Sequence, residues 1–220
     1  MPRPRSLTHA QLASAALAVI DRDGLAGLSM RAVAKELGMS TMALYRYVDD
    51  RDQLEQLVVE LVLGEVDTEP PGPEVPWRGR VEIMVGRLRD SVGAHPEIVP
   101  LTLTHRHRSP AVLRWSEVVL TILADAGLRG GQQVIALRGL LGYVIGAVQL
   151  EHLGSLSAPG TVAISALPPD RFPQLSATAQ RARRIGADQE FSGGLDMLLR
   201  GMAEMLADGA GLPPDGLPDR

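Results

Sequence analysis

Four side chains between residues 41 and 47 carry hydroxyl or guanidinium groups that can donate hydrogen bonds to nucleic acid: Thr41, Tyr45, Arg46 and Tyr47. An arginine can bind guanine through its O6 and N7 atoms, while tyrosine hydroxyls can donate to phosphate oxygens. Met42 lies among them and offers an apolar contact, for example to a thymine methyl group. These residue types and their spacing favour recognition of DNA.

Two short helices joined by a tight turn are predicted to position these side chains. Ser29 and Ser40 can each cap a helix, because a serine oxygen accepts from a backbone N–H at the helix start. Gly38 follows Leu37, where a left-handed residue that ends a helix is least costly as glycine. The inward-facing residues are predicted to be Ala32, Val33, Leu37, Ala43, Leu44 and Val48. This is the helix-turn-helix pattern, whose second helix lies in the major groove.

Amphipathic helices are predicted on both sides of this motif. Thr8 and Gln11 have the spacing of a capping box, and Gly24 ends the helix that follows them. Its apolar stripe comprises Leu12, Ala15, Ala16, Val19 and Ile20. After the motif, Asp49 or Asp50 is predicted to cap a further helix. The apolar stripe of that helix comprises Leu54, Leu57, Val58, Leu61 and Val62.

With these elements in place, residues 6–65 resemble the N-terminal domain of the TetR family of repressors. The matching residues are Gly24, Leu28 to Ala34, Leu37 to Ser40, Leu44 to Val48, Arg51 and Leu54. The remainder is similar to the tetracycline-repressor-like C-terminal domain class through its length, its helicity and the residues Phe172, Phe191, Gly194 and Leu195. The resemblance implies an all-α fold and a homodimer that binds DNA.

Eight residues form the predicted DNA-binding set: Arg31, Ser40, Thr41, Met42, Tyr45, Arg46, Tyr47 and Arg51. Arg46 can bind guanine or phosphate, and the resemblance favours phosphate contacts for both tyrosines. Ser40 and the free N–H groups beside it can hold a phosphate. Arg31 and Arg51 are expected to flank the groove.

The distribution of charge agrees with a local DNA-binding face. The net charge is −4, yet residues 1–48 carry six basic and three acidic side chains. Arg3 and Arg5 alternate with prolines in an arm that either reaches the minor groove or is a solvated terminus. Because phosphate attraction depends on the local patch, DNA affinity is expected to fall with salt.

Composition limits the other classes of function. The chain has no cysteine, which excludes disulfides and cysteine-based metal sites. We find no nucleophile motif, zinc-protease motif or nucleotide-binding glycine loop, so no enzyme activity, catalytic residue, metal site or cofactor is expected. No apolar run approaches the length of a membrane span, and no signal peptide is evident. A cytoplasmic protein is therefore expected, and the arginine-rich composition hints at a bacterial genome of high GC content.

A proline-rich break at 69–76 divides the predicted domains. Residues 1–66 form the DNA-binding domain, 77–208 a helical domain for effector binding and dimerisation, and 209–220 a disordered tail. Helices are predicted near 77–93, 96–104, 109–126 and 130–152, with a pair within 172–207. The stretch 153–171, rich in glycine, serine and proline, is predicted to be a long loop that could act as a lid.

Two helices are predicted to form the dimer interface. Gly139, Gly142 and Gly146 share one face of the 130–152 helix, which suggests that another helix approaches closely. The last helix has a broad apolar face comprising Leu195, Leu198, Leu199, Met202, Met205 and Leu206. The resemblance implies that both helices join a four-helix bundle across a two-fold axis. In the alternative, both faces are covered within one subunit.

The resemblance also implies a small-molecule effector between the middle helices. Ligand-binding candidates of mixed polarity there are Leu101, Thr104, His105, Trp115, Tyr143, Gln149 and His152. The run from His105 to Arg108 lacks the further ligands of a metal site, so a solvated basic loop is the better interpretation.

The sequence thus predicts a ligand-responsive transcription regulator, most simply a repressor. A homodimer would bind a palindromic DNA operator and be released from it by a small-molecule effector. The alternative is a helical interaction protein without DNA binding, in which Tyr45, Arg46 and Tyr47 would be ordinary surface residues.

Overall fold

A computed structural model describes residues 7–207, and the expected basic arm and C-terminal tail lie outside this range. Eleven α-helices and no strand occur within the described range, which confirms the all-α fold. They are α1 (His9–Asp23), α2 (Met30–Glu36), α3 (Thr41–Leu44), α4 (Arg51–Leu63), α5 (Trp77–Gly93), α6 (Val99–His105), α7 (Pro110–Ala126), α8 (Gly131–Gly154), α9 (Pro159–Ser165), α10 (Pro173–Ala182) and α11 (Ala187–Ala207).

Internal contacts divide the chain into two compact units. Among the described residues, the first comprises 7–70 and 86–118, and the second comprises 71–85 and 119–207. The proline-rich segment 69–76 contains no helix. The functional boundaries predicted from the sequence, at residues 66 and 77, divide the chain differently from these internal contacts. They remain a prediction.

In the first unit, each of the helices α1 to α4 begins at a capping side chain. Thr8, Ser29, Ser40 and Asp50 each accept a hydrogen bond from the backbone N–H three residues later. Thr8 also completes the predicted capping box with Gln11. Such caps satisfy donors that the first helical turn leaves without partners, which fixes where each helix starts.

Helix α4 is buried on two faces, because α1 packs on one and α6 on another. Leu54, Val58 and Val62 of the predicted stripe are buried. Val59 and Leu63 are buried as well, which makes the apolar surface of α4 broader than a single stripe. The predicted helix-turn-helix and α6 are thereby parts of one packed unit.

In the second unit, α8 packs against α11. The rings of Tyr143 and Phe191 lie 5.2 Å apart, and the Tyr143 hydroxyl donates to the Phe191 carbonyl at 2.6 Å. A Cβ atom at Gly194 would overlap that hydroxyl, so glycine is needed for this close approach.

The prediction of a continuous loop over 153–171 is wrong, because α9 (Pro159–Ser165) lies inside it. Pro159 occupies the first turn of α9, where its missing N–H costs no hydrogen bond. The apolar run that follows packs against α10, and that packing stabilises a helix too short to persist alone.

Helix α8 contradicts the expectation that no apolar run approaches the length of a membrane span. Among the described residues it is the one helix long and apolar enough to cross a membrane by length and composition. Only 22% of its most apolar window is buried within this chain. Length and composition do not distinguish a membrane span from a helix that buries apolar faces against protein.

Candidate nucleic-acid interface

The turn between α2 and α3 has the hydrogen bonds of a Schellman motif. The N–H of Met39 donates to the carbonyl of Ala34, and the N–H of Gly38 donates to that of Lys35. Gly38 has φ of 65°, the left-handed conformation that favours glycine. The turn therefore ends α2 where the sequence predicts and starts α3 two residues later at its cap, Ser40.

Helix α3 is shorter than the sequence suggests. It ends at Leu44, and Tyr45, Arg46 and Tyr47 continue as a turn. The N–H groups of Arg46 and Tyr47 donate to carbonyls three residues earlier, so the backbone tightens beyond the helix. This tightening sets the directions of the three side chains.

The side chains of this segment separate into a buried and an exposed set. Leu44 and Val48 are fully buried, as predicted. Met42 is 77% exposed and Tyr45 is 47% exposed, which is unusual for such large apolar or aromatic groups. Arg46 is exposed as well. The surface therefore combines aromatic, apolar and cationic groups without a covering element from the first unit.

None of the eight predicted DNA-binding residues is buried. Thr41 and Tyr47 are half-buried, and the other six are exposed. All eight lie on α2, on α4 or on the segment between them, within the first unit. Their role as DNA contacts stays a prediction.

Arg22 lies near this surface, but acidic side chains neutralise it. It pairs with Asp23 at 3.1 Å and with Glu36 at 2.9 Å. The hydrogen bonds to Asp23 and then to Glu36 raise the pKa of its guanidinium above the usual value. The exposed cations of α2 are Arg31 and Lys35.

The ligand-binding candidates fall in both units. Leu101, His105 and Trp115 are buried in the first unit, where Thr104 is exposed. In the second unit Tyr143 and Gln149 are half-buried and His152 is exposed. A cavity of about 300 Å³ lies within the first unit, lined by residues that include Leu17, Asp21, Leu61 and His95. None of the seven candidates lines it, and their role in effector binding stays a prediction.

Sequence reasoning missed a polar network between α4 and the end of α6. Glu55 accepts from Arg51 and from His105, while Ser109 donates to Glu60. Arg51 and Glu55 have the spacing of a helical ion pair, which is a usable sequence signal. The pairing of Glu55 with His105, fifty residues away, has no such signal.

Comparison with known proteins gives two family matches and several similar proteins. Residues 12–56 match bacterial regulatory proteins of the tetR family, and residues 69–206 match the tetracyclin repressor-like C-terminal domain. The HTH-type transcriptional repressor DrrR1 of Streptomyces coeruleorubidus is 33% identical over 148 residues, which cover 67% of this chain and 54% of that protein. This chain thus spans about half the length of DrrR1.

Other similar proteins match over most of their length. Tetracycline repressor protein class A from transposon 1721 of Escherichia coli is 27% identical over 194 residues, 86% of this chain and 88% of that protein. The structure of ActR from Streptomyces coelicolor with actinorhodin has a TM-score of 0.75 and 28% identity, and covers 94% of this chain and 99% of that one. With both family matches in consecutive segments, this chain belongs to the TetR family of bacterial regulatory proteins.

Proposed function

We propose that the protein is a transcription regulator that binds DNA through α2 and α3 and responds to a small-molecule ligand. The observation that carries this proposal is the exposed group of Met42, Tyr45 and Arg46 on a helix-turn-helix within a TetR-family chain. We also propose that residues 1–66 bind DNA and that residues 77–208 bind the effector and form the dimer. Because related proteins include named repressors, we assign the repressor sense to this protein.

The test of DNA binding is selection of bound fragments from a genomic DNA pool. We expect an inverted repeat, and weaker binding to it by the Arg46→Ala variant. Loss of a base-contacting arginine costs about 1–3 kcal/mol, which lowers affinity roughly five- to 150-fold. Arg184→Ala is the matched control, because Arg184 is an exposed arginine in the second unit. Equal binding by both variants would remove Arg46 from the interface.

We assign dimerisation to a stripe along α8. Ile135, Gly139, Gly142, Gly146, Leu150 and Leu153 recur every three or four residues, which places them on one helical face. Ile135, Leu150 and Leu153 are 53%, 65% and 77% exposed. A Cβ atom built at any of the three glycines meets nothing within 4 Å.

Closure within one subunit does not account for this stripe, since the chain over residues 7–207 leaves it open. The predicted apolar face of α11 is different, because Leu195, Leu199 and Met202 are buried within the chain. Helix α11 carries a similar stripe of Gly193, Met197 and Gly201, with Met197 74% exposed. A second copy of the chain can cover both stripes by close helix packing. Two-fold symmetry then matches a palindromic operator, with recognition helices about 34–36 Å apart.

The effector remains to be identified, and ActR suggests which compounds to test first. ActR structures contain actinorhodin or (S)-DNPA. We propose an organic effector, and the predicted ligand-binding residues are the first positions to substitute: Leu101, Thr104, His105, Trp115, Tyr143, Gln149 and His152. An active compound is expected to release the operator fragment from the protein in a dose-dependent way. Tryptophan fluorescence, to which Trp77 and Trp115 both contribute, offers an independent readout of binding.

The competing function is a helical interaction protein without DNA binding, and the comparisons do not favour it. Recovery of no DNA fragment at low salt would restore it. The related proteins are regulators rather than enzymes. We therefore assign no catalytic role to the chain, and we propose that it acts in the cytoplasm.

A further inference from the structure

A carboxylate on α4 receives one donor from each side. Arg51 donates its Nε–H to Oε1 of Glu55 at 2.6 Å, and Nε2 of His105 lies 3.3 Å from Oε2. A carboxylate can only accept, so His105 donates through Nε2–H. Each oxygen of Glu55 thus has its own donor, one from α4 and one from the end of α6.

Burial makes this arrangement costly to disturb. The side chain of His105 is 2% exposed and that of Glu55 is 16% exposed. A carboxylate withdrawn from water requires hydrogen-bond donors, since a buried unpaired charge is strongly unfavourable. If His105 no longer donates, Oε2 of Glu55 must find another donor.

Arg51 already contacts Glu55 and can supply a second donor. Its side chain is 49% exposed, and its two terminal nitrogens have no hydrogen-bond partner among residues 7–207. A guanidinium readily forms two parallel hydrogen bonds with one carboxylate. The present bond to Glu55 uses Nε alone, which leaves both terminal nitrogens available to another anion.

We infer that His105, acting through Glu55, is a positioning residue that keeps Arg51 available for a DNA phosphate. With Oε2 occupied by His105, Arg51 holds Glu55 by one hydrogen bond and presents its terminal nitrogens. Without His105, Arg51 takes both oxygens of Glu55 and turns away from the phosphate. This inference rests on the proposed function, because it requires that Arg51 face DNA.

The experiment is a double-mutant cycle on operator affinity, with the inverted repeat that the wild-type protein selects as the probe. We expect His105→Leu to weaken binding about three- to tenfold. We also expect it to lower the slope of log affinity against log salt by about 0.9 for each phosphate that the protein no longer neutralises. In an Arg51→Ala background, His105→Leu is expected to have no further effect.

A second pair of variants separates positioning from folding. His105→Gln places an amide donor near the Nε2 position and is expected to keep wild-type affinity and salt slope. His105→Asn is one methylene shorter, cannot reach Glu55 and is expected to behave as His105→Leu. Thermal unfolding of all variants identifies any that lose their fold.

Three results would overturn the inference. Equal weakening by His105→Leu with and without Arg51, or equal effects of the Gln and Asn variants, would make His105 a packing residue and leave the regulator proposal intact. Failure of the wild-type protein to select any DNA fragment at low salt would overturn the proposed function and this inference together.

Discussion

Ser29 and Ser40 make the same hydrogen bond at the starts of consecutive helices, yet only Ser40 belongs to the predicted DNA-binding set. We expect Ser29→Ala and Ser40→Ala each to lower the free energy of unfolding by about 1 kcal/mol, since each loses one cap. Only Ser40→Ala should also weaken operator binding, because its hydroxyl and the N–H groups beside it can hold a phosphate. Urea denaturation and fluorescence anisotropy measure the two effects. Equal losses of affinity would argue against a phosphate contact at Ser40.

Single residues were predictable where neighbours in sequence determine their environment. Leu44 and Val48 are buried and Met42 and Arg46 exposed because helical spacing assigns them to opposite faces. His105 was different. Its burial and its bond to Glu55 depend on how α6 packs against α4, which local spacing does not encode.

At the scale of elements, the turn at Gly38 gives the sharpest test. An added Cβ at Gly38 would meet nothing within 4 Å, so the cost of Gly38→Ala comes from the left-handed backbone alone. We expect a loss of about 1 kcal/mol in the free energy of unfolding. Gly86→Ala, in the middle of α5, is the matched control. Gly86 has no positive φ, so alanine there should stabilise the helix by up to about 1 kcal/mol.

Thermal denaturation measures whether Gly38→Ala lowers the stability of the protein and Gly86→Ala raises it. A Gly38→Ala variant as stable as wild type would mean that the turn can relax to an ordinary conformation.

Helix starts were predictable because the caps are local, as at Thr8 and Ser40. The ends of helices that lack a terminal glycine were not predictable. Helix α3, for example, ends at Leu44 because the backbone hydrogen bonds change there. Helix α9 was missed because packing against α10 stabilises it despite its composition.

At the scale of the whole molecule, the open stripe on α8 predicts association between copies. Gly142→Leu is expected to weaken the dimer at least tenfold, because its side chain would fill the space that a second helix needs. Within one chain the added Cβ meets nothing within 4 Å, so the monomer should fold normally. Gly93→Leu, at the exposed end of α5, is the control.

Analytical ultracentrifugation over a range of protein concentrations measures this effect. An unchanged dimer in the Gly142→Leu variant would place the interface elsewhere.

The sequence predicted the stripe through the spacing of its glycines. It did not predict that the described part of the chain leaves the stripe open, because that depends on where every other helix packs.

The inclusion of 86–118 with the DNA-binding segment in one compact unit has a practical consequence for building hybrid regulators. The proline-rich segment 69–76 would be an obvious junction at which to replace the proposed effector-binding domain with that of another regulator. A hybrid cut there would set Asp52, Glu55 and Glu60 against a foreign segment in place of residues 105–109, which lacks the matching Arg108, His105 and Ser109. In such a hybrid these three carboxylates would lose the donors that Arg108, His105 and Ser109 supply. A transplant that carries 86–118 together with the DNA-reading segment keeps these pairs, and with them the geometry of Arg51.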